Sequence, residues 1–150
     1  MVLELTRAGA TDPLVMELCA AQQAELASRE QDRDIVHDVP KRLDPRIAFV
    51  VAWRDGAAVG CAGLQPLEPG VGEVKRMYVR PAHRGRGVSR ALLAEIERLA
   101  REDGLNALRL ETGRIFTEAV GLYTSSGYAS IPRFGAYADL PESVCFEKTL

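Results

Sequence analysis

Apolar positions change period several times along the chain, and each change marks a different element. Val2–Arg7 alternates and reads as an opening strand, and Asp12-Pro13 then supplies an N-cap followed by a proline suited to a first helical turn. A helix of about 16 residues is expected from there, with Leu14, Met16, Leu18, Cys19, Ala21, Leu26 and Ala27 as its apolar positions. Ile47–Trp53 and Ala58–Leu64 are two strands joined through Arg54-Asp55-Gly56, a hairpin signal because Asp-Gly tolerates positive φ. Val71–Val79 is a third strand that stops before Pro81. From Gly87 to Asp103 the period lengthens to that of a helix: Val88, Leu92, Leu93, Ile96, Leu99 and Ala100 share one stripe, and Gly104 fits the C′ position. Glu97 and Arg101 are expected to pair on its solvent face. Ala107–Gly113 reads as a strand, Glu118–Tyr128 as a short helix stopped by Gly127, and Ser143–Leu150 as a last strand. Residues 132–141 connect the final hairpin, and Phe134 or Tyr137 within them is expected to cover a pocket.

Strands joined by short turns pair antiparallel, whereas the strand after the long helix must return parallel to the third through a right-handed crossover. The predicted architecture is therefore α/β (α+β): a mixed, mostly antiparallel sheet built in a single domain over residues 1–150, a length that supports one full core. Between Ser28 and Pro45 charges of both signs interleave. That segment is expected to be a solvated short helix and loop, with the alternative that Arg29, Arg33, His37 or Asp38 lines a pocket. His37 and His83 are expected at the surface.

The formal net charge of −2 opposes broad nucleic-acid binding, so any cluster of arginines is a local feature of a nearly neutral body. The longest apolar run, Ile47–Trp53, suits a buried strand and is too short for a bilayer. No membrane partner is expected, and the first residues have neither the basic leader nor the apolar stretch of a secretion signal. Cys19, Cys61 and Cys145, odd in number and far apart, suggest reduced thiols in a cytoplasmic protein without a metal site.

The stretch with most chemical content is Arg84-Gly-Arg-Gly-Val-Ser89, between the third strand and the long helix. Gly85 and Gly87 lack the Cβ that would hold an oxyanion away from the main chain. The N–H groups of the first helical turn have no carbonyl partner, the helix dipole adds partial positive charge, and Arg84 and Arg86 add full charges. The loop expects an anion. A dinucleotide fingerprint would need a glycine at Arg90, and a nucleoside-triphosphate loop would need Gly-Lys-Ser/Thr. Arg84-x-x-Gly87-x-Ser89 instead resembles the Gln/Arg-x-x-Gly-x-Gly/Ala signature of the GNAT superfamily of acyl-CoA-dependent N-acetyltransferases, with Ser89 slightly larger than that family's last position. Leu122-Tyr123 ahead of Gly127-Tyr128 is similar to the family's second block, and the tail resembles its final strand. The likeness covers residue 46 to the end and is strongest over 73–128.

The resemblance implies a sheet of about 6–7 strands, helices on both faces, and a central parallel pair that splays. It implies acetyl-CoA as co-substrate, its pyrophosphate on Arg84, Gly85, Arg86, Gly87, Val88 and Ser89, and its pantetheine arm along Met77, Tyr78 and Val79, with the Val79 N–H facing the developing oxyanion. It also implies that Tyr123 sits near the thioester sulfur, both binding the cofactor and assisting departure of the thiolate. Glu73, eleven residues before Arg84, matches the base of some members, and Glu111 at the end of the parallel strand is the competing candidate. A carboxylate of ordinary pKa, near ~4.3, accepts a proton from an amine only if burial raises it or a water relays the proton. The acceptor implied is a primary amine, attacked directly in a ternary complex; single-domain length and an aromatic lid favour a small molecule, with a protein amine as the alternative, and a homodimer is the assembly common in the family. The rival readings are a non-catalytic acyl-CoA-binding domain and an RNA-binding stripe of Arg80, Arg84, Arg86 and Arg90. The stripe lacks interleaved aromatics.

Overall fold

Asp55 and Gly56 both adopt positive φ, 51° and 79°, and turn β2 (Ala48–Arg54) tightly into β3 (Ala57–Glu68). The computed structural model describes residues 2–150, and its other elements are β1 (Leu3–Gly9), α1 (Pro13–Gln31), β4 (Val71–Val79), α2 (Val88–Glu102), β5 (Ala107–Gly113), α3 (Thr117–Ser125), β6 (Ala129–Ile131) and β7 (Ser143–Thr149). Single 3-10 turns lie at Pro81–His83 and Gly135–Tyr137. The strands form one seven-stranded sheet in the order β1-β2-β3-β4-β5-β7-β6, antiparallel everywhere except between β4 and β5. The mixed sheet with a parallel central pair is the architecture expected from the sequence.

Helices cover both faces. Val88, Leu92, Leu93, Ile96, Leu99 and Ala100 of α2 are all buried, so the predicted stripe is the core stripe, and it packs on Val50, Ala52, Val59, Leu64, Val74 and Leu108. Each fully buried aliphatic side chain there contributes roughly 1.5–3 kcal/mol. On the opposite face Val15 and Leu18 of α1 close over Phe49, Val51, Cys61 and Tyr78. Asp12 caps α1 by accepting the Leu14 N–H at 2.8 Å, and the helix runs three residues longer than expected, to Gln31. Its apolar face also differs: Met16 is 59% exposed and Val15 takes the core position, because the apolar residues of this helix do not follow a clean stripe.

The parallel pairing is short. Val71, Gly72 and Glu73 pair with Ala107, Leu108 and Arg109, after which β5 stays with β7 and β4 stays with β3. Opposite Ala62, β4 carries one extra residue, for Cys61 pairs with Tyr78 while Gly63 pairs with Lys75. Arg76 sits in this bulge at φ 56°, a left-handed conformation seldom taken by a side chain of its size. Gly60 permits the approach of β3 beside the bulge, since a Cβ there would lie 2.6 Å from the Tyr78 carbonyl oxygen.

Glu97 does not pair with Arg101 in solvent. It is 7% exposed, accepts hydrogen bonds from Tyr128 Oη and Lys148 Nζ, each at 2.9 Å, and so ties α2 to β7 and to the turn after α3. Lys148 also donates to the Ser126 carbonyl at 2.9 Å. The residue lies on the border of the apolar stripe, where position alone does not distinguish a solvated acid from a buried, partnered one. Removing the acid strands a lysine and a phenol below the surface, so Glu97→Ala is expected to lower folding stability by roughly 3 kcal/mol in chemical denaturation. An unchanged denaturation midpoint would show that the network contributes nothing.

Candidate active site

Divergence of β4 from β5 leaves main-chain groups without sheet partners. The Arg80 N–H donates to the Val59 carbonyl at 2.8 Å, and in an antiparallel ladder alternate residues point to the same neighbour, so Tyr78 faces β3 and Val79 faces the opened edge. The Val79 carbonyl there accepts Arg84 Nε at 2.8 Å, while the Met77 carbonyl accepts Gln22 Nε2 at 3.1 Å. A cleft of about 590 Å³ runs along this edge and is bordered by Met77, Tyr78 and Val79.

At one end of the cleft stands the N-terminus of α2. Gly85 and Gly87 have φ of 75° and 81°, conformations that L side chains rarely adopt, and open space lies where each Cβ would be. Gly87 caps α2 with no side-chain hydrogen bond, leaving the first-turn N–H groups of Val88 and Ser89 for a ligand. Val88 itself points into the core, so only its main chain is offered. Arg86 is exposed, whereas Arg84 is partly committed: its Nη2 binds Glu25 of α1 at 2.8 Å besides the bond to Val79. Arg90 donates to Ser125 and Ser126 and joins α2 to α3.

Carboxylates gather where the two strands fork. Glu73, 4% exposed, accepts the Tyr137 hydroxyl at 2.7 Å; Lys75 Nζ donates to the same phenol at 2.7 Å and stands 3.6 Å from the Glu73 carboxylate. Burial and the Glu73 charge push the Tyr137 phenol up. Glu111, beyond the fork on β5, accepts Ser143 Oγ at 2.5 Å and lies 2.8 Å from His37 Nε2. His37 Nδ1 lies 2.8 Å from Glu30. The hydrogen bond to Glu111 is the main cause that raises the His37 pKa, opposed by burial and aided by Glu30. Both ring nitrogens are thereby engaged, and among the described residues no group of His, Cys, Asp or Glu is arranged to hold a metal ion.

Sequence reasoning placed His37 at the surface; its side chain is 5% exposed because loop 32–46 folds it back over β5 and β7. His83 is half buried, with Nδ1 unpartnered among the described residues. Of the residues named as alternatives for a pocket wall, Arg29 and His37 border the cleft, whereas Arg33 and Asp38 are exposed and away from it. Tyr137 covers the cleft and Phe134 supports it edge-on, ring centroids 5.3 Å apart. Glu30, Lys75, Arg76 and Ser143 were missed. Lys75 was discoverable, being two residues from Glu73 and so on the same strand face. Tyr123 borders the cleft near Glu111, 6% exposed and packed edge-on against Tyr128 at 5.8 Å. Burial, reinforced by the Glu111 charge, pushes its phenol up.

Comparison with known proteins agrees with this geometry. Residues 14–128 match the model of the acetyltransferase (GNAT) family. The chain is 44% identical over 114 residues to an IAA acetyltransferase of Azospirillum brasilense, an alignment covering 75% of this chain and 74% of that protein. A solved structure from Klebsiella pneumoniae, of a protein provisionally described as an acyl-CoA N-acyltransferase, superposes with a TM-score of 0.86 at 34% identity over 99% of this chain and 98% of that one. A GNAT family acetyltransferase from Elizabethkingia anophelis, solved with acetyl-CoA bound, shares the fold at a TM-score of 0.72 and 17% identity, covering 99% of this chain and 98% of that one. With a family match across most of its length and close relatives of the same kind, the chain belongs to the acetyltransferase (GNAT) family and is an acetyltransferase enzyme.

Proposed function

We propose that this enzyme transfers an acetyl group from acetyl-CoA to the primary amine of a small molecule, by direct attack while both substrates are bound. One observation carries the reading: the anion-ready N-terminus of α2, the unpaired edge of β4 and the buried Glu73–Tyr137 pair open onto one continuous cleft. Its volume of about 590 Å³ is that of a small-molecule site, and Tyr137 and the His37 loop cover its far end. Three free thiols, Cys19, Cys61 and Cys145, suit work in a reducing cytoplasm.

Acetyl-CoA supplies an activated acyl group on a good leaving group. The N–H groups from Gly85 to Ser89 would hold its pyrophosphate, with Arg86 adding charge and Arg84 bracing the loop against Val79 and Glu25. The edge of Met77, Tyr78 and Val79 would align the pantetheine arm, and the Val79 N–H would donate to the acyl oxygen as negative charge develops. Glu73 at the fork receives the proton of the incoming ammonium, directly or through a water, while Tyr137 and Lys75 fix the orientation of the carboxylate. Glu111 is instead engaged with His37 and Ser143, which favours Glu73 as the base. Because its phenol is raised, Tyr123 keeps its proton and acts by donating a hydrogen bond toward the departing sulfur rather than by complete transfer.

Two measurements test the reading. Gly87→Glu places a carboxylate, at a positive φ, where the pyrophosphate belongs. Calorimetry is expected to show acetyl-CoA binding to the parent and at least a roughly 100-fold loss in the folded variant; equal affinity removes the phosphate-loop assignment. Glu73→Gln preserves the hydrogen bond with Tyr137 but not the basicity, so its acetylation rate should fall roughly 100-fold near neutral pH and recover toward the parent at high pH, where the amine is already neutral. Parallel pH–rate profiles would transfer the role to Glu111.

A further inference from the structure

The bulge in β4 turns two consecutive cationic residues toward the same face of the sheet. In an unbroken strand neighbours point to opposite faces. Here all four residues from Val74 to Met77 border the cleft, but Val74 and Met77 pack against the α2 core, whereas Lys75 and Arg76 between them both extend to the segments that cover the cleft. Lys75 reaches Tyr137 Oη at 2.7 Å, and Arg76 Nη2 donates to the Lys41 carbonyl at 2.6 Å. Lys75 has a carboxylate beside it, Glu73 at 3.6 Å. Arg76 has none among the described residues: its Nε is buried without a hydrogen-bond partner, although the left-handed backbone that presents it is unfavourable for a residue of this kind. A guanidinium with an unpartnered Nε and a second N–H still available on Nη2 is of the kind that binds a planar anion through two parallel hydrogen bonds.

The other side of the cleft has the opposite sign. One imidazole, His37, stands between two carboxylates there, Glu30 and Glu111, so at most one of the two is offset. A cleft with a surplus cation on one wall and surplus carboxylate on the other complements a molecule that carries both an ammonium and a carboxylate. We infer that the acceptor is an amino acid, or another small amine bearing a carboxylate, whose carboxylate is held by Arg76 while its amine is delivered toward Glu73. The inference rests on the small-molecule transfer reading and narrows it. The reaction is unchanged: the amide C–N bond forms, the thioester C–S bond breaks, and of the two protons the ammonium nitrogen loses, one leaves through Glu73 to solvent and the other ends on the sulfur, so that CoA departs as its thiol.

The test compares matched acceptors by CoA release: amino acids such as phenylalanine, their decarboxylated amines such as phenethylamine, and their carboxamides, with rates corrected for the fraction of free amine. The carboxylate-bearing member of each productive set is expected to have a kcat/KM roughly 10- to 100-fold above the other two. Arg76→Gln is expected to bring that ratio close to one, and Arg76→Lys, which keeps the charge but loses the planar fork, to reduce it partway. Acetyl-CoA affinity measured by calorimetry reports whether each variant is folded, and if Arg76→Gln is not, Arg76→Lys carries the test. Decarboxylated amines acetylated as fast as the amino acids overturn the inference and leave small-molecule transfer standing, as does a ratio that neither substitution moves. Acetyl-CoA binding with no small amine acetylated removes the small-molecule reading and the inference with it.

Discussion

Strand β4 cannot remain paired to both neighbours along its whole length, and the site follows from that constraint. Its first three residues pair with β5; beyond them β5 follows β7, β4 follows β3, and an extra residue at Arg76–Met77 alters the path of the strand. An interior strand with an open edge is costly in a soluble protein, because buried N–H and C=O groups must find partners. Here part of the need is met by side chains, Arg84 on the Val79 carbonyl and Gln22 on the Met77 carbonyl. What is left over is an edge of β4 that borders the cleft.

Around this opening the protein places charges in partnered sets. Glu97 with Tyr128 and Lys148 fastens α2, α3 and β7, and fixes the helix whose N-terminus faces the cleft. Glu30, His37, Glu111 and Ser143 fasten loop 32–46 across the far end. Removing one member of either set leaves a charge or a polar group buried without its partner. They also give the two carboxylates of the fork different partners. Glu111 is occupied in holding the loop, and Glu73 is oriented by a phenol and an ammonium at the point where the strands part.

Much of this was legible in the sequence because it depended on local chemistry. Asp55-Gly56 specified its turn, the apolar stripe of α2 specified its core face, and Gly85 and Gly87 marked the loop that leads into α2. What escaped depended on distant partners. Glu97 and His37 look like surface residues until Lys148, more than fifty positions away, or Glu111, more than seventy away, is brought beside them. The bulge was invisible for a related reason: it is a mismatch of register between two strands, and no residue within β4 announces it.

The central claim, that β4 keeps an unpaired main-chain edge for the acyl donor, is tested most directly by residue-resolved amide hydrogen exchange. In the free protein the Tyr78 N–H, directed at β3, should exchange slowly, and the Val79 N–H, directed at the opened edge, should exchange faster by roughly 10-fold or more. Saturating acetyl-CoA should slow Val79 by a similar factor while leaving Tyr78 nearly unchanged. If Val79 is protected as strongly as Tyr78 without ligand, or is unaffected by acetyl-CoA, the edge is not the binding surface and the account fails.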